Sequence, residues 1–321
     1  MADLPRNIYE QQAANRRNTL VVMFLFALFL GSLGLGFDVF FLGFGSGGVE
    51  YPLVTIVALI IGAFTADWGL ESGASTVLAS AGAIPVPDND TKFQVLRNVV
   101  EEMSIASGSP KPSLYIIPDP DPNAFATGKD PAHASIAVTE GLLEKLDREE
   151  LQGVIAHEMS HVRNYDIRMM TVVAALVGSV MLLSEFGLRS VRLGIGRGSG
   201  SSSRGRRGAI IFILWIIALL LAPLISQILA MAVSRQREYL ADASGAELTR
   251  NPRALASALQ KIDSSVEPTR SIKKGTAHLC IADPLGRDIN GKEGFFADIF
   301  GTHPPISKRI MLLRAMAYQH A

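Results

Sequence analysis

Asp147-Arg-Glu-Glu-Leu-Gln-Gly-Val-Ile-Ala-His157-Glu-Met-Ser-His161 is the stretch on which the reading of this chain turns. Asp147 with Glu150 three residues later is a helix-start pattern that sets acidic groups at the positive helix end. Leu151, Val154, Ile155 and Met159 then recur at helical spacing. On such a helix His157 and His161 share a face, so both imidazoles can hold one Zn2+ while Glu158 projects beside it. A catalytic zinc takes three protein ligands and keeps a position for water, whose pKa it lowers towards about 7. A carboxylate touching that water can take its proton, which makes Glu158 a general base and afterwards the acid that protonates the leaving group. The competing reading is a solvated helix face that happens to spell His-Glu-x-x-His, and a third ligand would separate the two. Glu238 and Asp242, four residues apart in Glu238-Tyr-Leu-Ala-Asp242, are the candidates.

Outward from that helix the pattern is mixed. Lys92 to Ser107 carries Val95, Val99 and Met103 at four-residue spacing and reads as an amphipathic helix. Ser113 to Ile117, Ala124 to Ala126 and Ser135 to Val138 read as short strands. Helical patterns cover 235–250 and 252–263, and a last helix begins near Pro305. The fold expected is mainly α with a small β-sheet, an α+β unit assembled from residues 67–168 and 235–321.

The rest of the chain is greasy. Of 321 residues 48% are hydrophobic and only 19% charged, with a mean hydropathy of +0.27, where a soluble domain carries about a quarter charged residues. Thirty basic against 30 acidic residues give no net charge and remove the electrostatic argument for a nucleic-acid partner. A single cysteine, Cys280, excludes an intrachain disulfide and a four-cysteine zinc site, and it reads as a small buried residue.

The apolar residues concentrate in 19–37, 51–66, 169–184 and 208–234, none of which contains a charge. A span needs about 17 to 25 residues. Residues 19–37 and 208–234 qualify outright; 51–66 and 169–184 reach only about 24 Å as straight helices and need snorkelling flanks. With no ionisable group at membrane depth, a transporter is disfavoured and the segments read as an anchor in the lipid bilayer. The 18 residues before the first segment include Asp3 and Glu10, unlike a cleaved leader. Arg6, Arg16 and Arg17 there put residues 1–18 in the cytoplasm, facing a 38–50 loop without Lys or Arg. One metal cannot be held from both sides of a membrane, so the third segment, 169–187, and the fourth must both cross or both fail to. The Gly/Ser/Arg-rich linker 188–207 holds Arg189, Arg192, Arg197, Arg204, Arg206 and Arg207, which argues against an outside loop. Four spans are the favoured reading, and a re-entrant third segment is the alternative.

Three elements together carry a family resemblance: His157-Glu-Met-Ser-His161, Ser234-Arg-Gln-Arg-Glu-Tyr-Leu-Ala-Asp-Ala243 and Thr302-His-Pro-Pro-Ile-Ser-Lys-Arg-Ile310. They resemble the HtpX-type integral-membrane zinc metalloproteases, relatives of the CAAX-prenyl proteases, over nearly the whole chain. The resemblance implies a gluzincin-like fold with one zinc per chain and Glu238 as its third ligand. Asp242 would orient a ligand histidine, whose second N–H must be held, though which histidine is not readable. Asn123, Ala124 and Phe125 match the family's edge strand, which would hold an extended peptide by β-pairing. His303 would bind the substrate carbonyl or oxyanion. The implied activity is endoproteolysis of damaged or misfolded membrane proteins in stress-related quality control, alongside other membrane quality-control proteases. The multi-pass protein would sit in the cell membrane with its site on the cytoplasmic side. A non-catalytic scaffold or chaperone and a prenyl-peptide protease are the alternatives. Arg309 reads as a structural ion pair, Asp166 as a helix-end group or one orienting a ligand, and His133 and His278 as surface or packing residues.

Overall fold

The structure, a computed structural model, describes residues 8–45, 47–87, 89–176, 235–265, 271, 279–282 and 304–319. The arginine-rich linker, the fourth apolar segment and the third from residue 177 onward lie outside these residues, and with them the choice between spanning and re-entrant forms.

Two long helices open the chain: α1 (Ile8–Phe41) and α2 (Leu53–Ser80). Each contains a 28-residue apolar stretch, Gln12–Val39 and Leu53–Ser80, or about 42 Å of helix, enough to cross a bilayer. They lie side by side because small residues let the backbones approach: a Cβ on Gly34 would stand 2.8 Å from Thr55 Cα. Their outer faces leave Leu20, Phe24, Leu25, Ile56, Ile60 and Phe64 exposed, a surface suited to lipid. Pro52 stands at the N-cap of α2 and offers no side-chain acceptor. Asp38 of α1 takes that role, its buried carboxylate accepting from Val54 N, Thr55 N and Thr55 Oγ1 at 3.0, 2.7 and 2.7 Å. The second helix outruns its uncharged stretch, continuing through Asp67 and Glu71. Gly69, Gly73, Val77 and Leu78 keep the inner face buried there, while Glu71 points outward to pair with Lys129.

The α+β unit has a four-stranded sheet in the order β1-β2-β4-β3. Its strands are β1 (Ile84–Pro85), β2 (Ser113–Ile117), β3 (Ala124–Gly128) and β4 (Ala134–Thr139). β2 and β4 run parallel, while β1 and β3 pair antiparallel with β2 and β4 respectively. β3 is therefore an edge strand, as expected. Helices α3 (Gln94–Ser107), α4 (Glu140–Lys145), α5 (Arg148–Arg163), α6 (Arg235–Thr249), α7 (Pro252–Asp263) and α8 (Ile306–Gln319) complete the unit. In α3 the buried stripe is Leu96, Val99, Val100 and Met103, whereas Val95 is 49% exposed. Val95, one turn before Val99, lies at the margin of the stripe, whose centre is filled by Leu96, Val99, Val100 and Met103.

α5 begins with the expected capping box: Asp147 accepts from Glu150 N and Glu150 accepts from Asp147 N, both at 3.0 Å. It is no solvated helix, because Leu151 and every residue from Gly153 to Val162 are buried. One core joins Phe93, Leu96, Val99, Ile136, Val154, Ile155 and Met159 to Leu255, Leu259 and Leu313, so the two separated stretches fold as one body. Two glycines set the helix spacings. A Cβ on Gly153 would lie 3.0 Å from Leu255 Cα, and one on Gly245 3.0 Å from His157 N. After α5 the chain turns at Asn164 and Tyr165, the latter with φ of 61°, and helix resumes over 166–176.

Candidate metal centre

His157 and His161 stand one turn apart on α5 with Nε2 atoms 3.3 Å apart and rings edge to face. α6 brings Glu238 over them: Oε1 is 3.5 Å from His161 Nε2 and Oε2 3.7 Å from His157 Nε2. All three side chains are buried. Their ligand atoms lie within 4.8 Å of one another. A tetrahedral ion with bonds of about 2.0–2.2 Å needs ligand atoms roughly 3.3–3.6 Å apart; the two imidazole nitrogens have that spacing and the Glu238 oxygens stand at or just beyond it. The charge balance points the same way. Among the described residues, the buried carboxylates of Glu158, Asp166, Glu238 and Asp242 face the guanidinium groups of Arg237 and Arg309. Acids thus outnumber guanidinium groups among these side chains, which suits a cation held by them.

Each imidazole is held from behind. His157 Nδ1 lies 3.0 Å from Asp242 Oδ1, so Asp242 serves His157. Arg309, fully buried, donates to both Asp242 oxygens from Nε and Nη2 at 2.8 and 2.7 Å and to Ile281 O from Nη1 at 2.7 Å. Its Nη1 is also 3.3 Å from Glu238 Oε2, so this ion pair braces an orienting acid and a ligand together. Burial opposes ionisation of Asp242, but the charge and hydrogen bonds of Arg309, with His157, outweigh it and hold the carboxyl below its ordinary value. His161 Nδ1 lies 3.2 Å from Asp166 Oδ2. Burial disfavours charge on His161, yet hydrogen bonds and charge from Asp166 and Glu238 prevail and push its pKa up to about 10.

Glu158 follows His157 on α5. Both of its oxygens are buried with no hydrogen-bond partner among the described residues. Burial raises its pKa; His157 and His161 work against that, Glu238 adds to it, and the backbone N–H of Ala126 favours the charged form. Ala126 belongs to β3, so the outer edge of that strand faces the carboxylate. The register pairs Phe125 with Ala137 and Ala126 with Ile136, and Thr139 N donates to Asn123 O. Alternation then turns the backbone of Ala124, Ala126 and Gly128 to the outside. Ala124 O accepts from Ile281 N at 2.9 Å, and Gly128 N donates to Thr171 Oγ1 at 3.0 Å. Ala126 lies between these occupied ends. The Phe125 side chain is buried in a cluster with Ile117 and Ala137, and Asn123 Nδ2 donates to Ala282 O at 3.0 Å.

His157, Glu158, His161, Glu238 and Asp242 therefore converge, with Ala126 beside them. His303 and His278 lie outside the described residues. His133 is exposed and bonds Asp130 at 2.7 Å, and Cys280 is buried. Sequence reasoning missed two partners of Asp166. Asn15 donates to its Oδ1 at 2.7 Å, and Arg237 Nε stands 3.6 Å away. Arg237 adjoins the third ligand in sequence, which was a usable signal; Asn15 sits in a polar run that reads only as a membrane-flanking segment.

Residues 90–317 match the model of "Peptidase family M48". The "Protease HtpX homolog" of Caldanaerobacter subterraneus subsp. tengcongensis is 44% identical, covering 97% of this chain and 98% of its own. The homolog from Thermoanaerobacter pseudethanolicus is 45% identical with the same coverage, and that from Tropheryma whipplei (strain Twist) 43% identical over 97% and 99%. Among solved structures, "Crystal Structure of S. mikatae Ste24p" covers 95% of this chain and 67% of its own at 20% identity, with a TM-score of 0.49, a likeness too slight to carry weight. With a family model spanning most of the chain and near-full-length relatives that bear the name of a protease, the chain belongs to peptidase family M48 as a membrane metalloprotease of the HtpX type.

Proposed function

We propose that this protein is a zinc endopeptidase that cuts damaged or misfolded membrane proteins at the cytoplasmic face of the cell membrane, in stress-related quality control. The observation that carries the reading is the convergence of the buried side chains of His157, His161 and Glu238 beside the buried carboxylate of Glu158. His157 Nε2, His161 Nε2 and a Glu238 oxygen would hold one zinc per chain. When bound, the zinc supplies a Lewis acid that polarises a carbonyl and acidifies water.

The remaining chemistry belongs to the chain's own side chains. Glu158 accepts a proton from the attacking water and returns it to the leaving amine, a role that suits a carboxylate whose burial has raised its pKa. Asp242 and Asp166 keep the Nδ1 protons of His157 and His161 in place, so that each Nε2 presents a lone pair. An extended substrate segment would pair with the edge of β3 at Ala126, next to Glu158. The Asn123–Phe125 stretch would act only by fixing this edge, because its backbone is already paired with Thr139, Ile281 and β4 and the Phe125 side chain is in the core. His303, in Thr302-His-Pro-Pro, is assigned to the substrate carbonyl.

The contact of Arg16 of α1 with the ring of Tyr165, four residues past His161 in the chain, supports the cytoplasmic side. It would put the positively charged end of α1 and the metal site on one side of the membrane, and by the positive-inside rule that side would be cytoplasmic. A Glu158→Gln protein incubated with a membrane-protein substrate is expected to bind it without cutting, and undiminished cleavage would overturn the mechanism. Loss of bound zinc in Glu238→Ala is the companion expectation, checked by metal analysis.

A further inference from the structure

The C-terminal end of α5 is capped in part by its own turn, where Asn164 N and Tyr165 N donate to Ser160 O and Val162 O, and in part by the membrane helix α1. The last carbonyls of a helix have no partner within it. Here Arg163 O accepts from Gln12 Nε2 at 2.9 Å and Asn164 O from Asn15 Nδ2 at 2.8 Å, while the Arg16 guanidinium lies 4.2 Å from the centre of the Tyr165 ring. Gln12, Asn15, Arg16 and Thr19 are spaced to share one face of α1. Thr19 Oγ1 bonds back to Asn15 O at 2.8 Å within the helix. Between them the turn at Tyr165 holds a left-handed conformation, φ 61°, that an aromatic residue adopts only where its surroundings impose it.

Asn15 does more than cap. Its amide, 5% exposed, donates its second N–H to Asp166 Oδ1 at 2.7 Å. Both neighbours of that amide are acceptors, a carbonyl and a carboxylate, so only the NH2 group fits there. The other oxygen of Asp166 is the one beside His161 Nδ1. Asp166 is fully buried and is thus fixed by Asn15 on one oxygen and aimed at a ligand histidine with the other.

We infer that Asn15, on the membrane-spanning helix α1, is a positioning residue of the metal site, acting through Asp166 to hold His161 in its ligating orientation. This rests on the zinc reading of the site proposed above. α1 is then a working part of the catalytic centre, and the anchor cannot be exchanged for another hydrophobic helix without loosening the metal.

The test uses full-length protein in detergent micelles, loaded with zinc or cobalt, and follows metal release to a chromogenic chelator together with the visible absorption of the cobalt form. Asn15→Leu keeps the volume and removes both donors. It is expected to release metal about tenfold faster, at the low end of the effect of losing a group that orients a ligand, and to alter the cobalt spectrum. Gln12→Leu breaks the neighbouring cap without touching Asp166 and is expected to keep wild-type release. In an Asp166→Ala background, adding Asn15→Leu should change release no further. Wild-type release and spectrum in Asn15→Leu, an equal effect of Gln12→Leu, or additivity with Asp166→Ala would each overturn the inference. Asn15→Ser, which retains one donor, provides an intermediate rate should the leucine variant fail to accumulate, and wild-type release there would also overturn it. Wild-type protein that bound no metal would instead sink the zinc reading.

Discussion

Gly245 offers a way to move a ligand without touching it. A methyl group added there would stand 3.0 Å from His157 N, 3.2 Å from His157 Cα and 3.3 Å from Ala156 C, where ordinary contact begins at 3.4 Å. All three are backbone atoms of a buried helix and cannot swing aside, so α6 and α5 must separate by a few tenths of an ångström. Glu238 sits two turns earlier on α6, and metal sites tolerate deviations of only about 0.2 Å. For Gly245→Ala the strain of overpacking, about 1–3 kcal/mol, is partly offset by the helix preference of alanine, about 0.8–1 kcal/mol. Stability therefore falls by about 0–2 kcal/mol while zinc affinity falls about tenfold and kcat/KM with it. Gly153→Ala is the control: its Cβ would meet Leu255 N and Cα at 3.0 Å, but the helix it displaces, α7, carries no ligand. The assays are chelator competition, cleavage of a membrane-protein substrate and thermal melting. Wild-type zinc affinity and activity in Gly245→Ala, or an equal loss of zinc from Gly153→Ala, would refute the argument.

Arg309→Met leaves the Asp242 carboxylate buried without its partner and should cost about 3–5 kcal/mol in denaturant unfolding; a loss below about 1 kcal/mol would place that pair in effective contact with solvent. Because Arg309 and His157 hold Asp242 below its ordinary pKa, its ionised form stabilises the metal-free protein above about pH 4. That contribution is lost as pH falls through the folded-state value. Asp242→Asn should accordingly flatten the acid limb of stability below about pH 4, and parallel curves would contradict this. His161 has the opposite sign. Its pKa raised to about 10 gives stability that is complete below its ordinary 6.5 and is lost as pH rises through that higher value. Zinc, which replaces the proton, should therefore raise the melting temperature more at pH 9 than at pH 6, and equal gains would count against competition between proton and metal at His161.

What could be read from the sequence is what the chain encodes locally. His157, Glu158 and His161 lie within five residues, and their helix announces itself through Asp147, Glu150 and the period of Leu151, Val154, Ile155 and Met159. The three main strands fall within two residues of their expected ends, because alternation and flanking prolines are local signals too. Period alone put Val95 in the buried stripe of α3 in place of Leu96, since the two are equally apolar and only the tertiary partner chooses between them. The braces of the site were illegible for a related reason. Arg309 reaches Asp242 across 67 residues and Asn15 reaches Asp166 across 151. A polar side chain bonded over such a separation leaves no period and no spacing in the sequence, so Arg309 could be recognised as an ion-pairing residue but not matched to its acid.

Thr171 shows how closely the anchored and catalytic parts are joined. Its hydroxyl lies 2.8 Å from Thr127 Oγ1 and accepts from Gly128 N at 3.0 Å, which fixes the far end of β3. Its methyl fits against Gly73 of α2 so closely that a Cβ there would be 2.8 Å away. Thr171 lies on the helical run that begins at Asp166, five residues after His161. The strand edge facing Glu158, the carboxylate behind His161 and a membrane helix are thus registered through one side chain and the turn beside it. A shift of α2 against this run cannot move the substrate edge without also straining the support of the metal ligand, so binding and metal geometry respond to the membrane helices together. Short, direct connections of this kind explain why the chain uses long helices as walls of its site, where a flexible tether would have sufficed for anchorage alone.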